Sequence, residues 1–293
     1  MNGAFKLRKL IASKQVVMAP GVFNPISAVI AQSKGFKALY FSGGGLANTL
    51  ALPDLGVTTL SEVVQSVQAI TSVVDLPLIV DIDTGFGEVF NVERAVRELE
   101  RVGASAVHIE DQVMPKRCGH LEGKELVDAE EMVKKIVAAK GARRENIVII
   151  ARTDAKGVEG FDAAVERAKI YIKAGADMIF PEALESEDEF REFAKKIKAP
   201  LLANMTEFGK TPYISAQAFG EMGYKVVIFP MTALRAALKA VSDAMTVLAQ
   251  KGSQKEFLEH LMTRAEVYRL ISYSSYEERD KALSEAASNI IGG

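Results

Sequence analysis

Residues 76–87 read LPLIVDIDTGFG. The first part is a continuous apolar run, the pattern of a strand buried on both faces as in a parallel sheet. The second part changes abruptly. Asp81 and Asp83 stand two positions apart, on one side of an extended chain. Thr84-Gly85-Phe86-Gly87 then supplies a turn. A strand that is apolar along its length and acidic only at its carboxyl end suits an α/β protein whose site lies at the strand ends.

The same plan recurs on both sides of this stretch. Apolar runs occur at QVVMA (15–19), KALYF (37–41), SAVHIE (105–110), NIVIIAR (146–152), DMIFP (177–181), PLLAN (200–204) and KVVIFP (225–230), making eight with residues 76–82. Amphipathic helical patterns separate them. In NVERAVRELERVG (91–103) Val92, Val96 and Leu99 share one face and Gly103 ends the pattern. FDAAVERAKIYIKAGA (161–176) is expected to stop at Gly175. DAEEMVKKIVAAKG (128–141) has acids at its start and Gly141 at its expected end. Eight β–α units predict an α/β fold of the (β/α)8 TIM-barrel type, with an open doubly wound sheet as the alternative. No low-complexity linker interrupts the chain, so residues 1–293 are taken as one domain. Helical stretches at about 231–251 and 254–271 exceed what one barrel needs. The region from about 231 to 293 is therefore expected to cap the barrel or dock on a neighbouring subunit.

Composition removes several classes. The 293 residues are 48% hydrophobic and 25% charged, with a net charge of -2, so no basic excess points to nucleic acid or an anionic membrane. A single cysteine, Cys118, excludes an intrachain disulfide and cannot alone build a zinc site. The N-terminal MNGAFKLRKLIASK has too short an apolar part for a signal peptide. No apolar run approaches the ~18 residues of a membrane span. A soluble cytoplasmic protein is expected.

Polar residues collect at the strand ends. Tyr40 and Ser42 close the second run, before Gly43, Gly44 and Gly45. Asp81 and Asp83 close the third; His108, Glu110 and Asp111 the fourth; Arg152 and Asp154 the fifth. Glu182 follows the sixth, Asn204 and Thr206 the seventh, and Arg235 the eighth. One Asp after a strand is usually a cap or turn residue. Polar groups after seven strands point to a shared mouth. Two carboxylates such as Asp81 and Asp83 repel unless a cation lies between them or one is protonated. Glu110 and Asp54 can join them, and a set of oxygen ligands without a histidine cluster suits Mg²⁺ rather than zinc. The competing reading is a pair of caps and a turn. The glycines at 43–45 do not make a dinucleotide fingerprint. Asn48 stands where the third glycine belongs, and Pro53 interrupts the helix that motif needs. They serve better to bring backbone N–H groups close to an anion.

Cys118 lies in MPKRCGHLEGK (114–124), beside Lys116, Arg117 and His120. Cations there are expected to lower its pKa and poise the thiol near neutrality for proton transfer. Gly119 and Gly123 are expected to permit lid-like movement. An inert, half-buried cysteine is the alternative. His108 should point inward with Glu110, as a buried structural or catalytic group. His260 and Tyr273 fit surface or packing roles. Phe180 and Ile228 fit the core, or an apolar wall of the mouth.

These motifs occur in a recognisable order. SGGG (42–45), LPDLG (52–56), DIDTGFG (81–87), EDQ (110–112), KRCGH (116–120), ARTDA (151–155), PEA (181–183) and NMTEFG (204–209) resemble the isocitrate lyase and phosphoenolpyruvate mutase superfamily over almost the whole chain. The resemblance implies a barrel whose eighth helix is exchanged between subunits, usually in a homotetramer. It implies a small tricarboxylate substrate, Mg²⁺ and retro-aldol carbon–carbon cleavage. The members that act on 2-methylisocitrate, giving pyruvate and succinate, fit best.

Carried over, Asp81 would ligate Mg²⁺, with Asp83, Asp54 and Glu110 holding its waters. Ser42, Gly43 and Gly44 would bind the substrate's carboxylate and hydroxyl end, and Arg152 would polarise it. Cys118, Gly119 and His120 would lie on a gating loop, with Cys118 as general acid and Tyr40 handling the hydroxyl proton. Glu182, Asn204, Met205, Thr206, Arg235 and Arg264 would surround the succinate carboxylates. Isocitrate lyases carry a tryptophan and a threonine where Phe180 and Ile228 align, and this chain has no tryptophan. The smaller pair leaves room for a methyl group. LEGKEL (121–126) also resembles carboxyphosphonoenolpyruvate mutases. Isocitrate cleavage, phosphonate chemistry and a non-catalytic ligand-binding barrel are the alternatives.

Overall fold

The computed structural model describes residues 2–292. Its eight parallel strands are β1 (Val17–Pro20), β2 (Leu39–Phe41), β3 (Leu78–Asp81), β4 (Ala106–Glu110), β5 (Val148–Thr153), β6 (Met178–Pro181), β7 (Leu202–Asn204) and β8 (Val226–Phe229). Each falls on one of the eight apolar runs. The strands pair in two arcs, β1-β8-β7 and β2-β3-β4-β5-β6. Single parallel bridges, Gly21 with Tyr40 and Ile179 with Leu201, join the arcs at both seams. Val22 N–H donates to Tyr40 O at 2.8 Å, and Ile179 N–H donates to Pro200 O at 3.0 Å. The circuit of a (β/α)8 barrel is thereby complete. The seams are thin where Pro20 and Pro200 withhold an N–H from the ladder.

Strand alternation sorts the side chains into two apolar shells. Ile79, Ile150, Phe180, Leu202 and Ile228 point into the barrel, joined by Leu7 of the helix Gly3–Ala12. Val80, Val107, Ile149 and Ile179 point outward against the helices. The inward register places Tyr40, Asp81, His108, Glu110, Arg152 and Asn204 on the same side as that inner shell, near the carboxyl ends. Period-two geometry thus gathers the polar groups that the sequence spreads over more than one hundred positions.

Most helix boundaries follow the expected signals. Helix Val89–Arg101 buries Val92, Ala95, Val96 and Leu99, and Gly103 follows it at φ 93°. Gly175 ends Phe161–Ala174 in the left-handed conformation. Gly141 behaves differently. Helix Ala129–Ala142 runs through it and leaves by extended Arg143, whose guanidinium donates to Asp177 at 2.7 Å. That pairing supplies the stop.

Two compact units divide the chain, residues 1–235 and residues from 236 onward. The first contains the barrel. The second comprises most of helix Thr232–Lys251, a 3₁₀ turn at Lys255–His260, and helices Arg264–Leu270 and Tyr273–Gly292. Leu238, Val241, Met245 and Leu248 form an exposed apolar stripe at helical spacing. Among the described residues, no helix is long and apolar enough to cross a membrane.

Candidate active site

Ser42 caps the short helix Gly43–Thr49, its Oγ accepting from Gly45 N–H at 3.1 Å. Gly43 N–H donates to Asp81 Oδ2 at 3.0 Å. A side chain at Gly44 would place its Cβ 2.7 Å from Asp54 Oδ2. The glycines therefore do allow close backbone approach, here toward the protein's own acids. Asp81 Oδ1 accepts from Asp83 N–H at 3.0 Å, and Asp83 itself is left-handed at φ 47°. Lys116 places its ammonium against Asp54 and 2.8 Å from Asp83.

Burial and the Asp81 charge raise the Asp83 carboxyl to about 6. Burial also pushes Asp81 up, but His108, Lys116 and Arg152 outweigh it and leave Asp81 below its ordinary value. Glu110 is raised well above the usual carboxylate range by burial, which Arg152 and Lys116 only partly oppose. The Tyr40 hydroxyl lies 2.8 Å from His108 Nε2 and 3.5 Å from Asp81 Oδ2. Burial, then the Asp81 charge, raise its pKa well above the ordinary phenol value. The phenol is thereby held protonated and acts as a hydrogen-bond donor.

Arg152 is fixed in plane by Asp154, at 2.9 Å and 3.2 Å. Its Nη1 lies 3.3 Å from both Glu110 and Glu182. Phe180 lies beneath the guanidinium, 5.2 Å from ring centroid to Cζ. Asp154 is held in turn by Lys124 at 2.9 Å, and its N–H donates to Asp111 at 2.9 Å. Burial opposes ionisation of Glu182, yet Arg152 and the hydrogen bond at His120 hold it well below the usual range.

The cysteine loop closes over this floor. Gly119 is buried against it, and a Cβ there would lie 2.6 Å from Arg152 Nη2 and closer still to Glu182 Cγ. Lys124 Nζ donates to Gly119 O. Cys118 is free and half-buried. Burial pushes its thiol pKa up, and the hydrogen bond at His120 does not offset this. The sequence expectation of a lowered pKa fails because the cations turn elsewhere. Lys116 faces Asp54 and Asp83, and Arg117 is exposed. A neutral thiol is a proton donor.

These groups surround one cavity of about 210 Å³. Tyr40, Ser42, Gly44, Asp54, Asp81, Cys118, Gly119, His120, Arg152, Glu182, Asn204, Thr206 and Arg235 all line it, with Phe180 as an apolar wall. Gly43, Asp83 and Glu110 stand behind that surface: Gly43 N–H donates to Asp81, and Asp83 and Glu110 are charge-paired with Lys116 and Arg152. Met205 packs in the outer core, where its sulfur accepts from Ile214 N–H at 3.2 Å. Ile228 belongs to the inner core. Arg264 begins a helix of the second unit.

The family model for phosphoenolpyruvate phosphomutase matches residues 7–249. The chain belongs to the phosphoenolpyruvate mutase/isocitrate lyase family. It is 59% identical to a 2-methylisocitrate lyase of Aeropyrum pernix, over 97% of this chain and 92% of that one. A crystal structure of a 2,3-dimethylmalate lyase, described as a member of this superfamily, superposes with a TM-score of 0.91 at 38% identity, over 98% of this chain and 97% of that one. Another family fold, phosphonopyruvate hydrolase in complex with oxalate and Mg²⁺, gives 0.86 at 33% identity, over 97% and 99%.

A family metal can be tested against the donors present. Both Glu110 oxygens are buried without a hydrogen-bond partner. Asp81, Asp83 and Asp54 gather within reach of Gly43, Gly44 and Lys116. Among the described residues, no three His, Cys, Asp or Glu side chains are drawn together tightly enough to hold an ion by themselves. Mg²⁺ retains several waters and takes few direct carboxylates, so this hard-oxygen set fits it.

In the sequence Lys116 reads only as a neighbour of the thiol, and Lys124 carries no signal of its own. Both are buried lysines. A buried ammonium implies a carboxylate partner, but one sequence does not reveal the burial.

Proposed function

We propose that this chain is a soluble, cytoplasmic carbon–carbon lyase that cleaves 2-methylisocitrate to pyruvate and succinate. The observation that carries the reading is the shared cavity, where a neutral thiol faces Arg152 and a set of carboxylates. Mg²⁺ would be held by Asp81, with Asp83, Asp54 and Glu110 on its waters. When bound, it supplies polarisation of the substrate's hydroxyl and carboxylate oxygens.

The protein's own groups divide the remaining work. Loss of the substrate hydroxyl proton to an ionised site carboxylate lets the carbon–carbon bond break. The new carbonyl belongs to pyruvate, and the bonding pair passes to the succinate carbon. Arg152 and the side chains of Asn204, Thr206 and Arg235 face that developing negative charge. Cys118 delivers its proton to the carbanion, which completes succinate and leaves a thiolate. Ser42 and Gly44 orient the oxygen-rich end of the substrate, and Tyr40 donates a hydrogen bond within the same site. Phe180 provides the wall against which the extra methyl packs.

Purified protein should release pyruvate from 2-methylisocitrate in the presence of Mg²⁺. Brisk turnover of a phosphonate with none of 2-methylisocitrate would overturn the assignment. We further propose a homotetramer in which the helices beyond residue 236 are exchanged, which would cover the exposed stripe at Leu238, Val241, Met245 and Leu248. A monomeric mass by light scattering would contradict it.

A further inference from the structure

His120 is held from both sides of its ring. Nε2 lies 3.3 Å from Glu182 Oε1, and the backbone N–H of Lys210 donates to Nδ1 at 3.1 Å. A donor aimed at Nδ1 requires a lone pair there. With a lone pair at Nδ1, a neutral ring carries its proton on Nε2, facing Glu182 Oε1; Asn204 Nδ2, 3.5 Å from Nε2, has its shorter contact, 3.1 Å, with Glu182 Oε2. A proton on Nδ1 would set donor against donor at Lys210.

The segment that carries this donor is pinned along its length. Arg235 donates to Glu207 Oε2 at 2.8 Å and to Glu207 O at 2.7 Å, and Thr232 also donates to Glu207. Phe208 N–H donates to the Tyr213 hydroxyl at 3.3 Å, and Thr211 donates to Leu184 O at 2.7 Å. Phe208 sits at φ 61°, a conformation uncommon for a bulky residue. Gly209 lies directly against the imidazole. A Cβ there would be 2.7 Å from Nδ1, 2.9 Å from Cε1 and 3.0 Å from Cγ. These are rigid ring atoms, so any side chain at residue 209 displaces His120.

We propose that Gly209 and the Lys210 N–H are positioning elements that select the Nε2–H tautomer of His120 and thereby seat the cysteine loop. With its proton on Nε2, His120 donates to Glu182, to which Asn204 also donates at 3.1 Å. Glu182 is the surface on which Gly119 packs. Cys118 directly precedes Gly119, so its thiol takes its position from this chain of contacts. The effect on rate rests on the lyase reading; the tautomer does not.

The chain has three histidines, so the tautomer can be read directly. Protein labelled with ¹⁵N-histidine should show, in long-range ¹H–¹⁵N spectra in alkaline buffer, an Nε2–H pattern for His120. Gly209→Ala and Lys210→Pro, which respectively displace the ring and remove the donor, should both lose that pattern while keeping a native circular dichroism spectrum. Their kcat should fall about 100-fold, as for a catalytic group misplaced by about 1 Å. Gly141→Ala, where a Cβ meets nothing within 4 Å, is the control for an added methyl. An Nδ1–H pattern in the unaltered protein would overturn the proposal. So would retention of both the Nε2–H pattern and kcat in the two variants. If the unaltered protein shows the Nε2–H pattern but does not cleave 2-methylisocitrate, the positioning stands and the substrate assignment falls.

Discussion

Replacing Gly119 by alanine tests how the thiol is placed. The added methyl carbon would lie 2.6 Å from Arg152 Nη2 and 2.8 Å from Glu182 Cδ. Comfortable contact between such atoms begins near ~3.5 Å, so one side must give by about 1 Å. The floor resists. Arg152 is held by Asp154, and Glu182 accepts from Ala183 N–H at 2.8 Å as well as from Asn204. The loop is half-exposed and must lift instead, carrying Cys118 with it. A displacement of about 1 Å in a reacting group lowers the rate on the order of 100-fold, equivalent to about 2.7 kcal/mol of barrier. Steady-state pyruvate formation should show this as a loss in kcat. Calorimetric Mg²⁺ binding should persist, because the methyl at residue 119 meets Arg152 and Glu182 rather than Asp81, Asp83 or Asp54. Near-normal kcat in Gly119→Ala would refute the placement of the loop against Glu182.

Three further outcomes follow from other parts of the site. Burial and the Asp81 charge raise Asp83 from 3.8 to about 6, so its contribution to stability is fullest below 3.8 and is lost as pH rises through 6. Mg²⁺ needs the charged carboxylate, so its affinity should climb over the same interval, and a flat calorimetric profile there would contradict the assignment. Phe180→Trp should shift the kcat/KM ratio from 2-methylisocitrate toward isocitrate by about 10- to 200-fold, the worth of one methyl in an apolar pocket. An unchanged ratio would remove Phe180 from specificity. Lys135 is buried and donates to Thr84 O at 2.9 Å, beside the turn that carries Asp83. Lys135→Met should lose about 1–3 kcal/mol in denaturant unfolding by leaving that carbonyl unpaired. Equal unfolding midpoints would show that water replaces the ammonium.

The barrel was legible because the strands read as buried apolar runs, seven of them with a polar end. LPLIVDIDTGFG carried the strand, the acids and the turn together. The inward direction of His108 and Glu110 also followed from alternation alone. Electrostatics was less legible. Lys116 and Arg117 precede Cys118 in sequence, yet burial dominates the thiol, and Glu182 and Asp54 oppose the charge of Arg152. The result is a raised pKa where a lowered one was expected. Gly141 misled for a related reason: the helix ends where Arg143 finds Asp177, a partner distant in sequence. Lys124, Lys135 and the Lys210 N–H act through long-range contacts that no local pattern announces.

The role of the thiol as proton donor is tested most directly by Cys118→Ser, followed with 2-methylisocitrate and Mg²⁺. Calorimetry should show the substrate bound as tightly as by the unaltered protein, while a single-turnover quench finds no succinate. Succinate formed at the normal rate by the serine variant would contradict the account.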